Sequence, residues 1–438
     1  MAHAFTITDG TNTFTITSTH AAMQQYDMGA PDERATVVDT VNLHIRGTTG
    51  ANMQTNVRLL ESLLEGAKRR QRLGIGARVY VTCQLDSDGS SWRSEIVGGA
   101  LDLSAESLKV WANNMMPAQL TIERRREWEA SSLTELQLSA PNQSAATGGR
   151  TIYNHWDGDT GHGFWVQIAA AQVGGNVPTP ARLELTNNVG GARAFAQFHI
   201  AVNSFNDPAN FVGRIEGESA SSGGSTAADA TCSNGNKRNL TVNTSLTVTW
   251  ALNDAFVTDA SGNYMWLIAR VLGLTDAVVV RPEIRTASGT VVWRANEPVR
   301  WITSTPHLAI VCTIPIPPGG WDAPWDDLVL ALVFASSASV TLSIDYLAFF
   351  PADNYQFVPM LGESVANNET IIVDGIEGYA GVANGGLMRP IVAPRGKPLL
   401  LYPNTLQRIY ILQNISNNSN IADTLSVKVS YRARRLTV

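Results

Sequence analysis

Short runs in which apolar and polar residues alternate, closed off by Gly, Asn, Asp or Pro, recur along nearly the whole chain. Side chains of a strand point to opposite faces with period two, so such a run buries one face of a sheet and wets the other. In 425–431, for example, Leu425, Val427, Val429 and Tyr431 alternate with Ser426, Lys428 and Ser430. The chain opens on a self-similar pair, Phe5-Thr-Ile-Thr8 and Phe14-Thr-Ile-Thr17, around an Asp9-Gly10 turn, which reads as a hairpin. Only 53–70 breaks the rhythm. There Val57, Leu60, Leu64 and Ala67 fall three and four apart and give one helix with a single apolar stripe. Asn52 is its expected N-cap, and Lys68, Arg69, Arg70 and Arg72 load the end where positive charge suits the helix dipole. Gly74 and Gly76 then stop it. The fold class expected is all-β: an N-terminal β-sandwich with one flanking helix, a central jelly-roll β-sandwich, and a C-terminal β segment packing on one of them.

At 438 residues the chain exceeds one ordinary domain. Residues 1–130 read as the first sandwich. The polar, small-residue stretch 131–150 reads as a linker. Residues 151–352 hold short strands at steady spacing, the pattern of a jelly roll. Within them, 219–236 is so rich in Ser, Gly, Ala and Asn that a mobile loop is expected. Residues 353–438 form the C-terminal segment, which is turn-rich up to 377 and too short for a large core of its own.

Several function classes are disfavoured. A net charge of −6 speaks against a nucleic-acid partner, because phosphate recognition needs a surplus of Lys and Arg. No run of 18 apolar residues occurs and the start lacks a basic, apolar leader, so neither membrane insertion nor secretion is expected. Cys83, Cys232 and Cys312 are odd in number and lie far apart, so they read as buried or inert thiols. The sequence carries no nucleophile elbow, zinc-protease helix, Walker loop or dinucleotide fingerprint. A non-enzymatic chain is therefore expected. Glu216 and Glu218, and Asp326 and Asp327, are carboxylate pairs whose spacing fixes no separation in space, and they read as solvated turns.

Two stretches are site-like. In Asn154-His-Trp-Asp-Gly-Asp-Thr-Gly-His162, Asp157 and Asp159 could present oxygens to a structural Ca²⁺. The loop lacks the acidic residue that would complete a calcium-binding pattern, and a plain turn is the simpler reading. No other cofactor is expected. The second stretch is Trp321-Asp-Ala-Pro-Trp325, in a chain with 11 Trp. Sugar rings stack on indoles, so Trp321 and Trp325, with Asp322 and Asp326 for hydroxyl groups, are candidate glycan contacts. The plain alternative for any one Trp is core filling.

A family resemblance enters through the first 130 residues. F-T-I-T-D-G, V-N-L-H-I-R-G, the helix N-V-R-L-L-E-S-L-L-E-G-A, A-R-V-Y-V-T-C-Q-L and P-A-Q-L-T-I-E-R-R-R-E-W-E together resemble the distal tail (Dit-like) proteins of tailed phages. The C-terminal S-V-K-V-S-Y-R-A-R-R resembles the final strand of tail-tip proteins. The middle is similar to carbohydrate-binding-module jelly rolls, and L-S-I-D-Y-L-A-F-F resembles their closing strand. The resemblance implies a virion tail structural protein made in a bacterial cytoplasm. Its subunits would form a ring, a hexamer in that family, between tail tube and hub, with an inserted module touching a host-surface glycan. The alternatives are a stand-alone glycan-binding protein and a polysaccharide-degrading enzyme.

Overall fold

The computed structural model describes residues 4–16, 19–31, 34–84, 90–103, 114–153, 163–203, 213–303, 307–317, 328–415 and 424–437. The fold is all-β with antiparallel sheets and one long helix. The chain divides into two compact units. One comprises residues 1–134, 174–178 and 432–438, and the other 135–173 and 179–431.

The first unit is a nine-stranded sheet among the described residues. Its main path places Thr13–Thr15, Ala4–Thr8, Val79–Gln84, Ser91–Asp102, Met115–Arg125, Thr36–Arg46 and Ala21–Asp27 side by side. The opening hairpin forms as expected, with Ile7 opposite Phe14. The Asp9 carboxylate accepts the N–H groups of Thr11 and Asn12 at 2.8 and 2.6 Å, which sets the turn. Alternation in Thr36–Arg46 sends Val37, Asp39, Val41, Leu43 and Ile45 inward. The helix Gly50–Leu73 covers this face with Met53, Val57, Leu60, Leu63, Leu64 and Ala67. Each large aliphatic chain buried there stabilises by roughly 1.5–3 kcal/mol. The helix starts earlier than its sequence suggests. Thr49 is the N-cap and accepts the Asn52 N–H at 3.1 Å, while Asn52 turns its side chain back to the Thr48 N–H. Gly74 closes the other end at φ 70°, the left-handed conformation that glycine adopts without strain.

A charged pair lies inside this core. Arg124 and Asp39 are 2 % and 0 % exposed, with Nε 2.6 Å from the carboxylate. Tyr26 Oη and the Gly29 N–H also donate to Asp39, and the guanidinium lies 4.5 Å over the Trp128 ring. The polar groups are thus partnered, as a buried ion pair requires.

The last strand of this unit comes from far along the sequence. Arg434–Arg435 pairs with Trp128–Ala130. Arg432 donates to the carbonyls of Ala130 and Ser131, and Arg435 covers the Trp92 ring at 3.2 Å. Gly175 lets a second segment approach, because a Cβ there would lie 2.2 Å from the Arg434 carbonyl oxygen.

The second unit holds two nested sandwiches. In the outer one, a seven-stranded sheet includes Leu138–Ala140, Trp165–Ile168, Gln407–Ile415, Arg193–Asn203 and Tyr355–Val365 in that spatial order. Its companion sheet includes Arg150–Tyr153, Thr424–Tyr431, Thr179–Asn187, Thr370–Asp374, Tyr379–Asn384 and Leu387–Pro390. The inner sandwich is contiguous in sequence. A six-stranded sheet centres on Val340–Pro351, and a five-stranded sheet runs Ser245–Ala251, Leu328–Ala335, Val278–Thr286, Val291–Arg294, with Val299–Trp301 also on Val278–Thr286. Trp250, Trp301, Phe334, Leu342 and Phe349 are among the side chains that fill it.

These pairings redraw the boundaries read from the sequence. The stretch taken as a linker carries strands Leu138–Ala140 and Gln143–Ala146, already part of the outer sandwich. The C-terminal segment, read as packing on one of the sandwiches, is built into the outer one. Gln407–Ile415 and Thr424–Tyr431 are interior strands of the two outer sheets, joined to strands between 150 and 203. The jelly roll accordingly starts at Arg214–Glu216. The turn-rich passage after 353 contains the strands Tyr355–Val365 and Thr370–Asp374. The expected mobile loop at 219–236 is ordered. Ser225–Ala228 pairs with Asn236–Val242, and Ser233 is fully buried with its N–H on Asp345.

Candidate functional site

The inner sandwich carries the groups with the most unusual surroundings. At its base, Arg214–Glu216 pairs with the closing strand Val340–Pro351, bringing Glu216 opposite Tyr346. Arg214 is almost fully buried, 2.8 Å from Glu216 and 4.4 Å over the Tyr346 ring. Beside it, Arg270 and Asp345 form a fully buried ion pair, and Arg270 also donates to the Thr231 carbonyl at 3.3 Å. Gly217 follows directly, because a Cβ there would meet the Ile344 carbonyl oxygen at 2.1 Å.

Burial governs the titration of this cluster. It pushes Glu216 up to about 7 against the pull of Arg214, helped by the negative charges of Glu218 and Asp345. It raises Asp345 despite Arg270 and Arg214. Glu216 and Glu218 are therefore half-buried members of a charge cluster, not solvated turns: their elements are clamped onto the closing strand. One oxygen of each, with Arg214 Nε and Nη1 and Tyr346 Oη, lacks a hydrogen-bond partner among the described residues. Two guanidinium groups already neutralise most of the negative charge, so the arrangement locks the 214–236 segment in place.

A second buried group sits where the outer and inner sandwiches meet. His199 is fully buried, and Gln197 Nε2 donates to the Leu308 carbonyl at 2.7 Å and faces His199 Nε2 at 2.9 Å. That amide leaves His199 Nε2 as an acceptor, so the ring proton sits on Nδ1 and points at Tyr355 Oη, 2.7 Å away. Burial drops the His199 pKa to about 3, and the ring stays neutral. Trp266, Phe350 and Tyr410 pack around the same point.

The outward face of the five-stranded sheet is different in kind. Alternation sends Val278, Val280 and Ile284 into the core and leaves Val279, Arg281, Glu283 and Arg285 on the other side. The strand register then builds rows across the face. One holds Thr249, Ala331, Glu283 and Arg294, the next Thr247, Val333 and Arg281, and a third Ala335, Val279 and Arg300. Glu283 is 2 % exposed between Arg285 and Arg294, with Arg285 Nε donating to it at 2.7 Å. Arg294 is 51 % exposed. Arg281 makes no ion pair or hydrogen bond among the described residues. Ser221 and Ser222 reach Thr249 Oγ1 at 2.8 and 2.6 Å and put further hydroxyls at the far margin.

The glycan candidates Trp321, Asp322, Trp325 and Asp326 lie outside the described residues, as do the cation candidates Asp157 and Asp159. Asp327 does too. Among the described residues no set of three His, Cys, Asp or Glu side chains could hold a metal ion. No described helix is long and apolar enough to cross a membrane. Of the described Trp, Trp92, Trp128, Trp250 and Trp301 are buried core residues, while Trp165, Trp266 and Trp293 are half-buried. Cys83, Cys232 and Cys312 are free thiols, and burial pushes them up to about 11, 12 and 12, well away from thiolate chemistry.

In the first unit, an open trough of about 320 Å³ lies along Ala21–Asp27, lined by Gln24, Gln25, Asn42, Asp102 and Gln119 among others. That strand and Thr13–Thr15 end the main path of the sheet.

No family model matches the chain, and no curated protein matches it. Two solved structures of the phage P2 baseplate in its activated conformation, one with Ca and one with Sr, align over 99 % of this chain and 98 % of theirs, at 7 % identity. Their TM-scores are 0.31 and 0.30. A structure of infectious bursal disease virus, Gt strain, covers 69 % of this chain and 81 % of that one, at 8 % identity and a TM-score of 0.18.

Proposed function

We propose that the chain is a structural protein of a phage tail tip, with the first unit as its assembly base and the second as a carried binding module. The observation that carries this reading is the path of the chain. Residues 4–134 form a sheet that is completed by 432–437, and everything between, apart from 174–178, belongs to another unit. A base into which a module is inserted suits an assembly subunit that must present something beyond itself. The strands Thr13–Thr15 and Ala21–Asp27 end the base sheet with backbone groups to offer. Burial of such edges between copies would stabilise a ring and prevent unwanted strand pairing.

In this reading the ring is a hexamer, its neighbours are tail-tube and hub proteins, and it resides in the virion. The protein is not an enzyme. Trp321 and Trp325, with Asp322 and Asp326, contact a host-surface glycan, and Asp157 and Asp159 hold a structural Ca²⁺ in their loop. Electron micrographs and mass measurement of the purified chain test the assembly claim: rings of a fixed subunit number are expected. A chain that stays monomeric at high concentration, with no rings, would overturn it.

A further inference from the structure

The arginine-lined face of the inner sandwich has a composition unlike an ordinary solvated sheet. We propose that it binds an anionic polysaccharide, one bearing uronate, sulfate or phosphate groups, in an extended strip across the strands. The inference rests on the chemistry of the face alone and does not need the assembly reading.

Four arginines, Arg281, Arg285, Arg294 and Arg300, share this face. Glu283 is on the face with them, and Glu297 is exposed in the turn between the last two strands. Positive charge is in surplus here although the chain as a whole is at −6. Glu283 has a second role besides neutralising charge. Held by Arg285 and Arg294, it fixes both guanidinium groups in place, and each keeps further N–H donors for a ligand. Arg281 stands one row away with no protein anion among the described residues. Guanidinium forks match carboxylate, sulfate or phosphate oxygens two at a time, which a lysine ammonium cannot do. Arg281 and Arg285 are four residues apart on one strand, about 13 Å, so they would meet separate charges along a polymer.

The remainder of the face selects sugar over acidic peptide. Its middle is Val329, Val333 and Ala335, with Ala331 fully covered between Thr249 and Glu283, flat and too small to clasp an anchoring side chain of a protein partner. Its margin is a row of hydroxyls, Thr247, Thr249, Ser221 and Ser222, the last three joined in a hydrogen-bonded chain whose remaining lone pairs can accept from a polyol. Among the described residues no indole stands on these rows, so none of them offers a neutral ring a surface to stack on.

Affinity electrophoresis of the full chain in gels holding polygalacturonate, dextran sulfate, neutral dextran or poly-glutamate tests this. Retardation by polygalacturonate or dextran sulfate is expected, with none by dextran. Arg281→Ala and Arg300→Ala should each weaken it about tenfold. Neither side chain holds Glu283, so unfolding midpoints should stay at the wild-type value. Arg281→Lys, which keeps the charge and loses the fork, should fall between. Three results would overturn the proposal: no binding to either anionic polymer, retention that survives both alanine variants, or equal retention by poly-glutamate. The last would make the face a docking surface for acidic protein.

Discussion

His199 and Glu216 bias stability in opposite directions with pH, and the two can be separated by substitution. His199 has a folded pKa of about 3 against an ordinary 6.5, because burial disfavours the imidazolium. Below 6.5 the unfolded chain takes up a proton that the folded one refuses, so acid destabilises the fold through this residue. From pH 7.5 to 4.5 the unfolded imidazole titrates over about two units, which at 1.36 kcal/mol each is about 2.7 kcal/mol. Glu216 is raised from 4.5 to about 7. Its folded form takes up the proton first, so the same acid step stabilises by about 3 kcal/mol. In the wild type the two contributions nearly cancel. His199→Gln keeps a polar side chain and removes the titration. Its urea stability, whatever its starting value, should rise by about 2–3 kcal/mol relative to wild type between pH 7.5 and 4.5. Glu216→Gln should fall by a similar amount, and the double variant should run parallel to wild type. Parallel curves for wild type and His199→Gln would refute the reasoning, since they would mean that the imidazole is not kept neutral by the fold.

Other expectations concern single contacts. Asp39→Ala strands the buried Arg124 guanidinium and should destabilise the first unit by about 3–5 kcal/mol in chemical denaturation. Thr49→Ala removes the true helix cap and should cost about 1 kcal/mol, whereas Asn52→Ala, at the position favoured by sequence, should cost less. Tyr355→Phe deletes the partner of His199 Nδ1 and should cost about 1 kcal/mol in thermal unfolding of the second unit. Gly175→Ala drives a methyl group into the Arg434 carbonyl, and faster amide exchange at Ala130, whose N–H bonds to the Ala433 carbonyl, would report the loosened strand.

Much of the strand content was legible because alternation is a local property. Leu425 to Tyr431 announce a one-faced strand without any knowledge of neighbours, and Val57 to Ala67 announce a helix face in the same way. Partners are not local. Nothing in Thr424–Tyr431 says that it lies between Arg150–Tyr153 and Thr179–Asn187, so the C-terminal segment read as a separate piece packing on a sandwich although it supplies interior strands of one. The cap was misread for a related reason: Thr49 and Asn52 are both good capping residues, and the three-residue offset is settled by which backbone N–H each can reach. The arginine face was hidden in plain strands. Arg281, Glu283 and Arg285 alternate visibly, but Arg294 and Arg300 join them only through the register of two further strands. Glu216 was noticed and set aside as solvated, because a sequence does not show that Arg214 and Tyr346 will bury it.

The late strand Arg434–Arg435 places the completion of the first unit at the end of a long wait. A ribosome releases the base sheet early, yet Trp128–Ala130 finds its last neighbour only after some 300 further residues have emerged. The inner sandwich, whose strands lie within 214–351, can mature meanwhile. A chain cut between residues 352 and 431 would therefore bear a finished inner sandwich on an unfinished base. Such a product would keep the arginine-lined face but lack the strand that pairs with Trp128–Ala130.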